Sequence, residues 1–342
     1  MQTKHTFNPS IQSLRGISIG LVMGYHYFHW PNQAGAIGVG LFFCISGYLI
    51  TSILLFEYKE FGGINLKNFF ARRIRRLLPL AYLTIILNLA IFGILKSRNF
   101  IEIDFDQLKT ASLYCVFYVG NLFGYYGSNY TALPEPLMHF WSLAVEEQFY
   151  VFYPFILLFL LRRAKNVLPR FLLISIFLTL IAHSVMQLIG KTVWTLPFTY
   201  FDVLFSGCLI AVLEIFYSFI PSPRLISTAR FTAMLISIYL ISFKLLPTDL
   251  IGQGYTVNFL LEACLFFGFY QSKSLGNIKI LNWLGKLSYS LYCLHIPILV
   301  LGNQLQLPFF LKIPIVITVT IVLAMLSNRY FESIFWKSRY GK

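Results

Sequence analysis

Apolar residues gather into ten stretches, near residues 10–30, 36–57, 79–95, 139–161, 170–190, 197–217, 226–245, 253–271, 284–304 and 309–332, with more polar connections between them. The hydrocarbon core of a bilayer is about 30 Å thick and takes about 20 helical residues to cross. Each stretch therefore predicts a transmembrane helix. The expected fold is all-α: a polytopic integral membrane protein of about ten transmembrane helices, forming one domain over residues 1–342. An even number of crossings puts both termini on the same side. Two connections are long, 58–78 and 96–138, and the second contains an apolar run near 111–123 that is short for a crossing.

Positive charge gives this array an orientation, because lysine and arginine accumulate in cytoplasmic loops. Lys4, the 58–78 and 162–170 loops, Arg224 and Arg230, the 271–286 stretch and the C-terminus fall on one side and hold 20 of the 27 basic residues. The opposite side holds Lys96, Arg98, Lys109, Lys191, Lys244 and Lys312, and Arg15 stands inside the first stretch. Both termini are thus expected in the cytoplasm and the 96–138 loop outside.

Composition agrees. The chain is 57% hydrophobic and only 12% charged, with a mean hydropathy of +0.70, against about a quarter charged in soluble domains. The net charge of +14 is distributed as a topological signal, so the expected partner is the lipid bilayer and not nucleic acid. The five cysteines are scattered without a CxxC pair, four of them in apolar stretches, where a thiol packs as a small hydrophobe. The N-terminus lacks the cleavage pattern of a secretory signal, so the first helix is expected to be retained. No HExxH occurs, and no metal is expected.

Within this apolar background, ionisable groups default to function because burying them in lipid is costly. Arg15 and His26 are eleven residues apart in the first stretch, a helical rise of about 16 Å. With the first helix leaving the cytoplasm, Arg15 lies towards the inner face and His26 towards the outer. Glu146, with Glu147 beside it, lies about 10 Å into the fourth helix, which enters from outside. His26 and Glu146 are therefore expected at matched depth, as a base and its orienting carboxylate. On the inner side, Arg72, Arg73, Arg75 and Arg76 serve as a positive-inside anchor or, if helical, as two pairs on adjacent faces able to grip phosphates. Asn121, Gly124, Tyr125, Tyr126, Asn129 and Tyr130 in the outer loop suit either a sugar-facing cap or an interfacial aromatic belt. His29, His139 and His183 fall near the outer interface, where solvated histidines are ordinary, and Glu262 lies at mid-membrane with no assigned role.

Five motifs, in order, resemble the membrane acyltransferase-3 family. They are Arg15-x10-His26, Phe42-Phe43-Cys44-Ile45-Ser46-Gly47-Tyr48-Leu49, the Arg72–Pro79 run, Trp141-Ser142-Leu143-Ala144-Val145-Glu146-Glu147-Gln148-Phe149-Tyr150, and the stretch from Gly285 to His295. The resemblance implies an enzyme of the bacterial inner membrane, in the stand-alone form without a fused extracytoplasmic domain. It would move an acyl group, most often acetyl, from cytoplasmic acyl-CoA to a hydroxyl of an extracytoplasmic carbohydrate such as O-antigen, capsule or exopolysaccharide. His26 matches the family's catalytic histidine, Arg15 its motif partner, Glu146 the more nearly fixed of two glutamates, and the Arg72–Arg76 cluster the arginines linked to CoA phosphates. Ser288, Tyr289 and Tyr292 would line the path of the CoA arm, and His295 would support it or serve packing alone. One departure is Tyr200, where the family motif around Asp202 has arginine. Neutral His26 would take the hydroxyl proton during attack on the thioester, directly or after forming an acyl-histidine. The competing reading is a transporter or flippase, which also places polar groups at matched depth in a helical bundle.

Overall fold

A computed structural model describes residues 8–123, 133–163, 165–188, 200–243 and 254–337. Among these residues the regular structure is helical, with no strand. The long helices are α1 (Pro9–Phe28), α2 (Asn32–Phe61), α3 (Leu66–Ser97), α5 (Phe140–Arg163), α6 (Leu168–Leu188), α7 (Phe201–Tyr217), α8 (Pro223–Phe243), α9 (Gly254–Phe269), α11 (Lys279–Asn303) and α12 (Phe309–Leu326). Shorter pieces are α4 (Phe105–Val116), α10 (Lys273–Gly276) and α13 (Ser333–Lys337). A helix overlaps each of the ten predicted stretches. Six helical segments among the described residues are long and apolar enough to cross a membrane: Ala34–Phe61, Leu66–Ser97, Glu135–Arg163, Leu168–Val185, Lys279–Asn303 and Phe309–Phe335. Large apolar side chains such as Phe152, Phe177 and Phe310 project outward from them, exposed by 64%, 64% and 71%. Apolar faces of this extent belong against lipid, and the chain is a multi-pass membrane protein.

Helix ends follow local chemistry. Asn8 caps α1 by accepting from the backbone N–H of Ser10 and Ile11, at 3.0 and 3.4 Å, and Pro9 opens the first turn. Asn65 caps α3 through the N–H of Asn68, and Asp104 caps α4 through that of Gln107. Gly62 ends α2 in the left-handed region (φ +70°), which glycine enters without strain.

Two expectations about loops are corrected. The 58–78 connection is helical except for residues 62–65, so the arginine cluster lies in the opening turns of α3. No Pro or Gly interrupts Leu66–Leu78, and the Asn65 cap starts the helix well before the apolar run at Pro79. The 96–138 connection contains α4, whose Asp104 cap and apolar residues Leu108, Ala111 and Cys115 bury one face of a surface helix. Gly124, Tyr125, Tyr126, Asn129 and Tyr130 of the predicted cap lie outside the described residues.

The chain divides into two compact units. The first runs over Met1–Ile64, Tyr153–Trp194 and Phe198–Ser288. Here α2 packs on α1, α7 and α9, with small residues where backbones meet. A Cβ added to Gly47 would overlap the Leu204 carbonyl, and one added to Gly207 would overlap that of Cys44. The α1 and α11 backbones meet the same way, at Gly16 against Leu281 and Gly285 against Gln12. Lipid tails are as apolar as leucine, so close backbone approach and its dispersion contacts stabilise helix pairs in place of a hydrophobic driving force.

The second unit runs over Asn65–Phe152, Thr195–Pro197 and Tyr289–Lys342. Hydrogen bonds pin its helices. Tyr82 donates to the Val116 carbonyl at 3.2 Å, joining α3 to α4, and Tyr289 donates to the Leu77 carbonyl, joining α11 to α3. Buried Glu332, in the π-helical stretch Ser327–Glu332, accepts from Ser290 at 2.6 Å and from Ser327 at 3.0 Å.

Candidate active site

In the first unit, Arg15 is half-buried on α1 and donates from Nε and Nη2 to the Oγ of Ser288, at 3.2 and 2.9 Å. Ser288 is fully buried on α11. The two crossings that press α1 onto α11, Gly16 against Leu281 and Gly285 against Gln12, bring their side chains within reach. A guanidinium that finds a hydroxyl partner keeps its orientation in an apolar setting. Ser288 was expected beside the donor's arm, and here its hydroxyl orients Arg15.

His26 stands in the last turn of α1, partly exposed, with its ring 4.6 Å from that of Tyr25. The helix is unbroken from Arg15 to His26, so the rise of about 16 Å between them is maintained. Its end is held firmly. His29 takes the left-handed conformation (φ 53°), the Trp30 N–H donates to the Gly24 carbonyl at 3.4 Å, and the indole lies on Gly24 where any side chain would collide.

In the second unit, α5 and α11 carry a polar array. Ser142 donates to the His139 carbonyl at 3.0 Å and shares a short hydrogen bond with the Tyr292 hydroxyl. His139 Nε2 is 3.1 Å from the Cys293 carbonyl, and His295 Nδ1 is 2.7 Å from that of Tyr292. The rings of His139 and His295 are 5.2 Å apart. One turn beyond Ser142, Glu146 accepts a hydrogen bond from Tyr150, and its charge reaches Tyr292. Gln148 donates to the Tyr118 carbonyl and to Asn121 Oδ1, at 2.8 and 2.9 Å, tying α5 to the turn after α4.

The four arginines differ in their surroundings. Arg72 is exposed, and Arg75 and Arg76 are half-buried. Arg73 turns onto aromatic rings, 4.8 Å from the centroid of Tyr150 and 5.9 Å from that of Phe69. Arg76 is near enough to Glu332 for their charges to interact.

The structure thus brings Arg15 to Ser288, Tyr292 to Ser142, and Glu146 and Arg73 to Tyr150. His26 belongs to the first unit and Glu146 to the second. His139 and His183, expected in solvent, are 3% and 6% exposed. A histidine at a helix end is buried when a facing helix supplies polar atoms, as the Cys293 carbonyl does for His139. His29 is exposed as expected, and Asp202 and Glu262 are buried at 1% and 4% exposure. Ser142, Tyr150 and His139 were not singled out as site residues. Tyr150 was open to detection, because the i, i+4 spacing from Glu146 places both on one helix face.

The model of an acyltransferase domain family matches residues 8–329. Among curated proteins, the peptidoglycan O-acetyltransferase OatA of Listeria monocytogenes is 30% identical over 95% of this chain and 55% of its own length. The O-acetyltransferase OatA of Staphylococcus aureus is 31% identical over 95% of this chain and 56% of its own length. The chain therefore spans about half the length of these relatives. No solved structure matches it.

Proposed function

This chain belongs to the membrane acyltransferase-3 family, and from that premise we propose that it transfers an acetyl group from cytoplasmic acetyl-CoA to a hydroxyl of an extracytoplasmic carbohydrate. The names of its relatives make a peptidoglycan sugar the first acceptor to test. In this reading the ten long helices all cross the inner membrane of a bacterium, with both termini in the cytoplasm, as the distribution of basic residues supports.

The observation that carries the reading is the constellation on α1, with Arg15 oriented by Ser288 and His26 about 16 Å further along an unbroken helix. CoA phosphates are too charged to enter lipid. Exposed Arg72 and half-buried Arg75 and Arg76, on the opening turns of α3, have the charge and planar donors to hold them. The pantetheine arm is about half a membrane long, which matches the rise from Arg15 to His26. His26 takes the proton of the sugar hydroxyl as its oxygen bonds to the thioester carbon; the C–S bond breaks and the proton passes to the departing sulfur. Glu146 is the carboxylate we assign to the same step.

The test supplies the protein in lipid nanodiscs with radiolabelled acetyl-CoA and peptidoglycan fragments. Transfer of label into alkali-labile ester, lost in His26→Ala, is the expected result. Equal transfer by His26→Ala would sink the assignment of the base. Movement of glycan without ester formation would favour a flippase instead.

A further inference from the structure

Tyr150 ends the Trp141–Tyr150 motif, four residues after Glu146 and on the same face of α5. It is 4% exposed on α5, its hydroxyl donates to Glu146 on the same face, and its ring carries the Arg73 guanidinium at 4.8 Å. Phe69, 1% exposed and one turn before Arg73 on α3, backs the same guanidinium at 5.9 Å. Arg73 is therefore engaged by two buried rings.

We propose that Tyr150 is a positioning residue that holds the Glu146 carboxylate in one rotamer, and that Arg73 belongs to this array and not to the phosphate grip. The physical grounds are the donor and the stack. A phenol donating to a carboxylate removes a rotational freedom that the reaction would otherwise have to fix. A cation over the ring face fixes the ring in turn, since the attraction falls away when the ring tilts. The proposal rests on the acetyltransferase reading, because Glu146 must take part in the reaction for its orientation to matter.

Steady-state kinetics of the nanodisc-embedded protein with labelled acetyl-CoA and peptidoglycan fragments test it. Tyr150→Phe keeps the ring beneath Arg73 and removes the donor alone. It is expected to lower kcat roughly tenfold, in the range of one hydrogen bond to a charged group, with KM for acetyl-CoA unchanged. In a Glu146→Gln background the same change should have no further effect, because the group it positions is altered. Arg73→Gln should likewise lower kcat at constant KM and Arg73→Lys should restore most of it, whereas Arg72→Gln should raise KM. Wild-type kcat in Tyr150→Phe, an equal loss in the Glu146→Gln background, or an Arg73→Gln effect confined to KM would each overturn the proposal. If the wild-type protein forms no ester, the acetyltransferase reading fails and this inference falls with it. If the wild type is active and Tyr150→Phe matches it, the inference alone fails.

Discussion

The two units solve the same problem, holding helices together in lipid, by different physics. In the first, Gly16, Gly47, Gly207 and Gly285 let backbones approach so closely that a single added methyl would strike a carbonyl. Its polar groups pair off in small sets: Arg15 with Ser288, and Tyr48 and Gln271 with Glu214. In the second, an array on α5 and α11 takes in His139, Ser142, Glu146, Tyr150, Tyr292 and His295, and Gln148 ties it to the turn beyond α4. Close backbone packing is intolerant of volume and indifferent to polarity. Hydrogen-bonded packing is the reverse, because losing one partner leaves another buried and unsatisfied. The first unit should therefore fail by steric insult and the second by loss of donors.

The largest effect is expected where chemistry overrides both modes. His26 lies in the first unit and Glu146 in the second. His26→Ala and Glu146→Gln should each lower transfer by about 10²-fold or more, the range of a general base. Groups that act on one proton are strongly non-additive, so the double variant should lose no more than the worse single one. Multiplied losses in the double variant would show that the two units contribute independent steps.

Next in size is the steric test. Gly207→Val adds bulk where the α7 backbone meets the Cys44 carbonyl and should destabilise by about 2–3 kcal/mol, read as a lower melting temperature in detergent. Gly20 has open space around it, with nothing near its missing Cβ, so Gly20→Ala should melt like the wild type. Equal melting of Gly207→Val and Gly20→Ala would break the contrast at its first term.

The counterpart in the second unit is Ser142→Ala, which makes no steric demand. It deprives the Tyr292 hydroxyl of a partner and is expected to cost about 1–2 kcal/mol. A loss no greater than that of Gly20→Ala would show that the array contributes little to stability.

These contrasts bear on what the sequence made legible. The apolar periods marked the helices, because a span in lipid needs about 20 apolar residues whatever its neighbours. Arg15, His26, Glu146 and the Arg72–Arg76 cluster stood out because a charge in such a helix is rare. The role of Ser142 was not legible, since a serine in an apolar helix is ordinary until the facing helix is known, whereas that of Tyr150 could be found from its i, i+4 spacing to Glu146. The assignment of His139 to solvent failed for a related reason. Its nearness to a helix end suggested water, but burial is decided by α11, more than 150 residues away. Likewise, the 58–78 connection was read as a loop because it falls between apolar stretches, yet arginine is a good helix former, and the Asn65 cap draws those residues into α3.

The smallest effect sets the lower bound of the comparison. Asp106 and Lys109 form an exposed i, i+3 ion pair on α4 at 2.6 Å. The hydrogen bond and charge of Lys109 hold the Asp106 carboxyl below its ordinary value of 3.8. A carboxyl whose pKa is depressed on folding stabilises above its unfolded pKa and loses that contribution as pH falls through the folded value. Asp106→Asn should therefore speed amide exchange in α4 slightly at neutral pH, relative to the intrinsic rate, and the difference from wild type should vanish well below pH 3.8. Added salt should shrink it as well, because an exposed pair is screened within about 10 Å at 0.1 M. A difference that survives both acid and salt would mean that Asp106 acts through the helix end and not through Lys109.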